Sequence, residues 1–209
     1  MPRLATLRSL AVAVLFAGCG AANAEESARI VEVLALEPGM TAADVGAGDG
    51  EWAVALSEAV GAEGTVYATE IEDDLVVRLG ELGLDHSRAN IVAVRGDAGS
   101  TGLDPACCDA ILLRMVYHHF TDPEAMRASL LEALRPGGRI AVIDIVPQTS
   151  WRKVEGVPAR GGHGIAPADL VAEMVGAGFG VEATYRDWRG GDEDRYCVVF
   201  TAPVAADDS

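Results

Sequence analysis

The 209 residues carry 32 acidic against 16 basic side chains, a formal charge of −16, and half of them are hydrophobic. A chain this long can bury one sizeable core, and its length favours one domain over two. With fifteen arginines and the single Lys153 scattered along it, so acidic a chain repels phosphate backbones and anionic headgroups, which argues against nucleic acid or a membrane surface as a partner.

Residues 1–24 read as a leader. Arg3 and Arg8 come without an acid, LAVAVLFAG follows from Leu10, and Ala22-Asn23-Ala24 precedes Glu25. The pattern predicts a secretory signal cleaved after Ala24 and a periplasmic destination for residues 25–209. Two alternatives stay open: LFAGC as a lipoprotein signal that makes Cys19 a lipid anchor, or a leader that is kept, leaving the chain in the cytoplasm. The apolar run is too short for a membrane span. Cleavage would remove two arginines and no acid, so 14 basic minus 32 acidic residues leaves −18. Besides Cys19 there are Cys107, Cys108 and Cys197; adjacent cysteines strain the peptide between them when bridged, so no disulfide framework is expected. No cysteine or histidine pair has zinc-ligand spacing.

After the leader, short β-rich runs alternate with helical stretches, the pattern of an α/β domain with a mostly parallel sheet. A helix from Ser27 to Leu36 puts Ile30, Val33 and Leu34 on one face and breaks at Pro38-Gly39. Then come a strand at 41–46, a helix at 51–60, a strand at 64–70, a helix at 73–84, and strands at 90–96 and 108–115. A helix over 123–134, with Asp122 as N-cap, ends at Pro136-Gly137-Gly138, and a fifth strand covers 139–146. A Gly- and Pro-rich loop leads to a helix over 167–177, two strands at 179–188 and 194–202, and a loose tail.

The first strand runs into Gly46, Gly48 and Gly50, at the place where an open parallel sheet receives its ligand. A dinucleotide fingerprint needs its third glycine at position 51, where this chain has Glu51, so the spacing argues against NAD. Asp44, Asp49 and Glu51 would also repel a pyrophosphate, whereas a cationic ligand would be welcome. Glu70 ends the second strand, where a carboxylate can accept from both hydroxyls of a ribose. Asp97 follows the third strand, placed to hold an exocyclic amine of adenine or simply to cap a turn. Together these residues describe a nucleoside pocket without phosphate recognition.

In their order and spacing, ADVGAGDG, YATEIEDD, VRGDA, CDAILLRMVYHHF and LRPGGRIAVIDI resemble the class I S-adenosylmethionine-dependent methyltransferases, from Ala28 to Pro203. The resemblance implies a Rossmann-like, doubly wound seven-stranded sheet, mostly parallel with an antiparallel last strand, and S-adenosylmethionine as cofactor. It places Asp44, Gly46, Ala47 and Gly48 against the methionine part, with Gly50 completing the loop. Glu70 would hold the ribose, with Ile71 beside the adenine; Asp97 and Ala98 would meet the adenine amine and ring, and Arg114 with Met115 would line the pocket after the fourth strand.

Methyl transfer from a sulfonium leaves a neutral thioether, so no acid is needed. Alignment can supply about 7–11 kcal/mol of the barrier, and a base matters only where the acceptor must lose a proton. His118, His119, Tyr117, Asp144 and His163 are the candidates, with one of the adjacent histidines packed under its loop and the other facing the cleft. A polar residue inside a buried strand is costly without partners, which ranks Asp144 ahead of His163. Trp52 and Trp151 could stack on an aromatic acceptor or fill space, and RGGHGI could be a lid with glycine hinges or merely mobile. No metal-ligand cluster and no Asn-Pro-Pro-Tyr signature is visible, which points to a small-molecule acceptor without metal assistance. The alternative is an exported nucleoside- or small-ligand-binding protein that keeps the fold without turnover. No residue names the acceptor or the oligomeric state.

Overall fold

The computed structural model describes residues 23–84, 88, 90–151 and 155–204; the predicted leader, apart from its last two residues, lies outside them, as does Cys19. Helix α1 covers 23–33 and is followed by β1 (Thr41–Val45), α2 (Glu51–Val60), β2 (Thr65–Glu70), α3 (Asp73–Gly83), β3 (Ile91–Arg95) and β4 (Cys108–Arg114). A 3-10 turn at Tyr117–His119 leads to α4 (Pro123–Ala133), β5 (Leu134–Ile145), α5 (Pro167–Gly176), β6 (Gly180–Tyr185) and β7 (Arg195–Thr201). The expected N-cap of α4 is present, with the Ala125 N–H donating to Asp122 at 3.1 Å.

The seven strands form one sheet in the order β3-β2-β1-β4-β5-β7-β6, parallel except for β7, which runs antiparallel to both of its neighbours. This is the expected Rossmann-like arrangement. The chain winds outward from β1 to β3, then returns to lay β4 on the other side of β1, so a crevice opens at the carboxyl ends of β1 and β4. Both faces of the sheet are covered, which explains why the central strands read as unbroken apolar runs rather than alternating ones. From β4, Ile111 and Leu113 enter the layer shared with Met126, Leu130, Leu170 and Phe200. Ala110 and Leu112 enter the opposite layer with Ile30, Leu34, Leu56 and Leu79. Each such side chain, fully buried, contributes roughly 1.5–3 kcal/mol.

Two boundaries differ from expectation. Helix α1 is already formed at Asn23, ahead of Ser27, and stops at residue 33, before Leu36, where Ala35 takes a left-handed φ of 48°. Strand β5 begins as soon as α4 ends, although Pro136-Gly137-Gly138 suggested a loop first. Cys108 faces Leu134 and Ala110 faces Arg139, so two steps of β4 oppose five of β5 and the Pro-Gly stretch bulges out. Gly137, at φ +77°, supplies the backbone conformation that this bulge requires. No described helix is long and apolar enough to cross a membrane.

Candidate active site

The loop between β1 and α2 is tied down by backbone hydrogen bonds, with the N–H groups of Gly46 and Ala47 both donating to the Thr69 carbonyl at 3.0 Å. Its three glycines have different reasons to be there. At Gly46 (φ +75°) a Cβ would meet Val116 at 2.5 Å, and at Gly50 (φ +82°) it would meet Leu82 at 2.4 Å and Leu79 at 2.9 Å. At Gly48 (φ +56°) it would meet nothing within 4 Å, so this glycine alone faces open space. Gly50, expected in the ligand contact, is required for the packing of α3 on the loop.

Glu70 sits directly beneath the loop. Its Oε1 accepts from the Gly48 N–H and its Oε2 from the Ile71 N–H, each at 2.9 Å. A cavity of about 140 Å³ opens above, walled by Gly46, Glu70, Ile71, Asp97, Ala98 and His119 among others. Asp97 does cap a turn, accepting from the Gly99 N–H at 2.9 Å, and lines the cavity as well. The carboxylates lining this cavity are those of Glu70 and Asp97, and among the described residues no arginine or lysine lines it. Such a lining suits a nucleoside whose remaining charge is positive and opposes a pyrophosphate.

Asp44 is the most unusual carboxylate in the crevice. It is 2% exposed; it accepts from the Ala53 N–H, and its Oδ2 has no partner among the described residues. Burial, reinforced by the Glu70 charge and opposed by Arg114, pushes it up from 3.8 to about 7. Asp44 thus keeps a buried acceptor oxygen with no described donor at the end of β1.

Arg114, expected to line the pocket, turns its side chain elsewhere. Its Nε and Nη2 both donate to Glu26 at 3.0 Å, and its guanidinium lies 4.1 Å from the centre of the Trp52 ring. Glu26 is itself only 3% exposed and also accepts from Trp188 Nε1 at 3.1 Å, with Arg189 at 3.2 Å. Burial alone would raise its pKa, but Arg114, Arg189 and Trp188 outweigh that and hold it below the ordinary carboxylate range. Trp52 is therefore a stacking surface for Arg114 rather than for an acceptor. Nothing in the sequence singled out Glu26, because its partners lie 88 and 162 residues away.

After β4 the chain bends at Met115, a non-glycine residue at φ 57°, and enters the Tyr117–His119 turn. As expected, one histidine is buried and the other reaches the cleft. His118 is 3% exposed, while His119 lies in the cavity wall. His118 Nδ1 is 2.6 Å from Asp144 Oδ1, and Asp144 also accepts from the backbone N–H groups of His118 and Ile145. Asp144 is wholly buried behind His118 and lines neither the cavity at Glu70 nor the one at His163. Tyr117 donates to Glu173 at 2.8 Å; burial drives its phenol pKa well above its ordinary value, which removes it as a base.

The fold also brings His163, ranked behind Asp144 on the sequence, to the histidine turn. His163 Nε2 stands 3.0 Å from His118 Nε2, and one ligand atom from each of His118, His119 and His163 lies within 4.8 Å of the others. Against the expectation of no metal-ligand cluster, three of the chain's four histidines meet here. His119 is held neutral, lowered to about 4 by burial and by His118 and His163. The RGGHGI segment is tied to the stretch after β5, where Gln148 and His163 exchange backbone hydrogen bonds at 2.7 and 3.1 Å. Its glycines permit this approach, as a Cβ at Gly162 would meet the Gln148 backbone at 2.9 Å. Trp151, half exposed, lies 5.4 Å from the His163 ring.

A family model described as Methyltransferase domain matches residues 43–142, which spans β1 to β5 and hence the glycine loop, Glu70, Asp97 and the histidine turn. The chain is 30% identical over 111 residues to the ubiquinone/menaquinone biosynthesis C-methyltransferase of Idiomarina loihiensis, covering 51% of this chain and 43% of that protein. It is 28% identical over 147 residues to the nocamycin O-methyltransferase of Saccharothrix syringae, covering 69% and 52%. The chain thus spans about half the length of the curated relatives it matches. Among solved structures, a SAM dependent methyltransferase from Aquifex aeolicus superposes with a TM-score of 0.69 at 20% identity, covering 84% of this chain and 88% of that one. The protein has the fold seen in that SAM dependent methyltransferase, and its residues 43–142 match a methyltransferase domain.

Proposed function

We propose that the protein transfers a methyl group from S-adenosylmethionine to a small-molecule acceptor. The observation that carries this reading is the cavity at the carboxyl ends of the central strands, which Glu70 and Asp97 line and no described arginine or lysine does. Glu70 would take the ribose hydroxyls, Asp97 and Ala98 the adenine, and the Gly46–Gly48 backbone with Asp44 the methionine end. The cofactor, when bound, supplies a methyl group on a cationic sulfur. The chain's own residues position and desolvate it. The glycine loop brings backbone close, and Val116, Phe120 and Met126 give the cavity an apolar wall that excludes water. The matched quinone and nocamycin methyltransferases act on small molecules by name, and the net charge of −16 favours the same class over nucleic acid. His119 stands on the acceptor side as a hydrogen-bonding group.

Calorimetry of the protein with S-adenosylmethionine, its demethylated product and NAD tests the assignment. Binding of the first two and not the third is expected, with loss of binding in Glu70→Ala; preferential NAD binding, or an unchanged Glu70→Ala, would overturn it. A labelled-methyl screen against cell extract then separates an enzyme from a binding protein without turnover. We also propose export, from the leader pattern at residues 1–24. The N-terminus of the protein isolated from cells is expected at Glu25, and an intact Met1 or Pro2 defeats that reading.

A further inference from the structure

The geometry points to a metal site: we propose that His118, His119 and His163 bind one divalent transition-metal ion of the zinc type, with Asp144 orienting His118 from behind. The site does not depend on the cofactor reading. It is built as histidine metal sites are built, with ligand nitrogens converging on one point and a carboxylate holding the far nitrogen of a ligand ring. The 2.6 Å contact between His118 Nδ1 and Asp144 Oδ1 places the proton on Nδ1 and leaves the Nε2 lone pair pointing outward. Asp144 is completely buried, and the N–H groups of His118 and Ile145 also fix it, so the orientation of the ring is set before any ion arrives.

The distances suit coordination. For zinc–nitrogen bonds of about 2.0–2.1 Å, two ligands at a tetrahedral angle stand about 3.3 Å apart. His118 Nε2 and His163 Nε2 are 3.0 Å apart, so a few tenths of an ångström of opening admits the ion. The three ligand atoms lie within 4.8 Å of one another, and His119 is the exposed member of the set, free to close the remaining gap by side-chain rotation. All three donors are imidazole nitrogens with no thiolate, a set that suits zinc, cobalt, nickel or copper and not magnesium or calcium. The backbone bridge between Gln148 and His163 holds the third ligand in place from a loop 45 residues further on.

The surroundings leave room for the ion and its remaining ligands. His118 and His163 border a cavity of about 110 Å³, enough for an ion with several waters, and His119 borders the nucleoside cavity. With the His118 and His119 ring centres 4.1 Å apart, the cluster borders both cavities.

Tag-free full-length protein, stripped with chelator and then dialysed, is titrated with Zn²⁺ by calorimetry and with Co²⁺ by visible absorption. One equivalent per chain is expected, with the visible bands of nitrogen-ligated Co²⁺ and no competition from Mg²⁺. His163→Ala, on the loop and outside the core, should fold and lose stoichiometric binding, and His119→Ala should do the same. Asp144→Asn, which keeps the shape but not the charge behind His118, should weaken binding about 10–100-fold. Circular dichroism confirms that each variant is folded. Absence of binding by the folded wild-type protein, binding unchanged in both histidine variants, or equal binding of Mg²⁺ would each overturn the site. Calorimetry of His163→Ala with S-adenosylmethionine keeps this outcome separate from the methyltransferase reading, because the cofactor should still bind.

Discussion

Replacing Asp44 by Asn should strengthen the fold at neutral pH while weakening the site it serves. Burial holds the Asp44 carboxyl at about 7 against an ordinary 3.8, so the folded protein keeps a proton that the unfolded chain has already released. The sign follows from that order. Asp44's contribution to stability is fully present below about pH 4 and is lost as pH rises through about 7. A tenfold change in proton affinity is about 1.4 kcal/mol, which sets a ceiling of about 4 kcal/mol on the whole loss. Asparagine cannot ionise and keeps the side-chain shape, so the stability difference between Asp44→Asn and the parent should grow by about 2–3 kcal/mol between pH 5 and pH 8. Denaturant unfolding at the two pH values reads it directly, since every other titrating group is common to both proteins. A difference that stays the same at both pH values would refute the idea of a carboxylate kept protonated by burial. The functional half is measured by calorimetry in buffers of different ionisation heat. A cationic ligand should draw the proton off Asp44, so the parent releases protons on binding S-adenosylmethionine near pH 6 and the variant does not.

Truncating Glu26 to Ala leaves Arg114, Arg189 and Trp188 Nε1 without their shared acceptor. Breaking a buried pair costs about 3–5 kcal/mol, and the partial exposure of both arginines favours the low end. Thermal unfolding should then drop by roughly 6–12 °C, and a drop below about 2 °C would show the cluster to be dispensable. Gly48→Val should abolish cofactor binding with a modest loss of stability from its φ of +56°, whereas Gly50→Val should act mainly on stability by displacing Leu79 and Leu82. Paired calorimetry and denaturation distinguish the two, and the reverse pattern would relocate the ligand. Tyr117→Phe removes a hydrogen bond to Glu173, worth about 1–2 kcal/mol, and should leave methyl transfer unaffected, because that phenol is too strongly held to serve as a base; a loss of turnover would contradict this.

The sheet was legible because its central strands are buried on both faces and bounded by glycine, proline and acidic caps, signals that lie within a few residues of one another. The Glu51–Val60 helix is read to the residue for that reason. Gly46, Glu70 and Asp97 were legible too, because a strand's end is a position that sequence order assigns. What could not be read are groups whose meaning is set by distant partners. His163 could be listed as a candidate base, but its contact with His118 depends on the Gln148 bridge, and Glu26 carried no signal because its partners lie far along the chain. Arg114 was placed correctly at the end of β4, but which way its side chain turns depended on Glu26. Gly50 reads like a ligand glycine because close backbone approach and helix packing ask for the same residue.

The link between Glu26 and Trp188 ties the first turn of the fold to its final hairpin across 162 positions of chain. Synthesis delivers Glu26 early and Trp188 near the end, so Arg114 is fully anchored only once almost the entire polypeptide has emerged. Loops closed over such distances form late. A product that terminates before the hairpin would therefore contain every residue of the cavity at Glu70 and still lack the Trp188 brace behind β4.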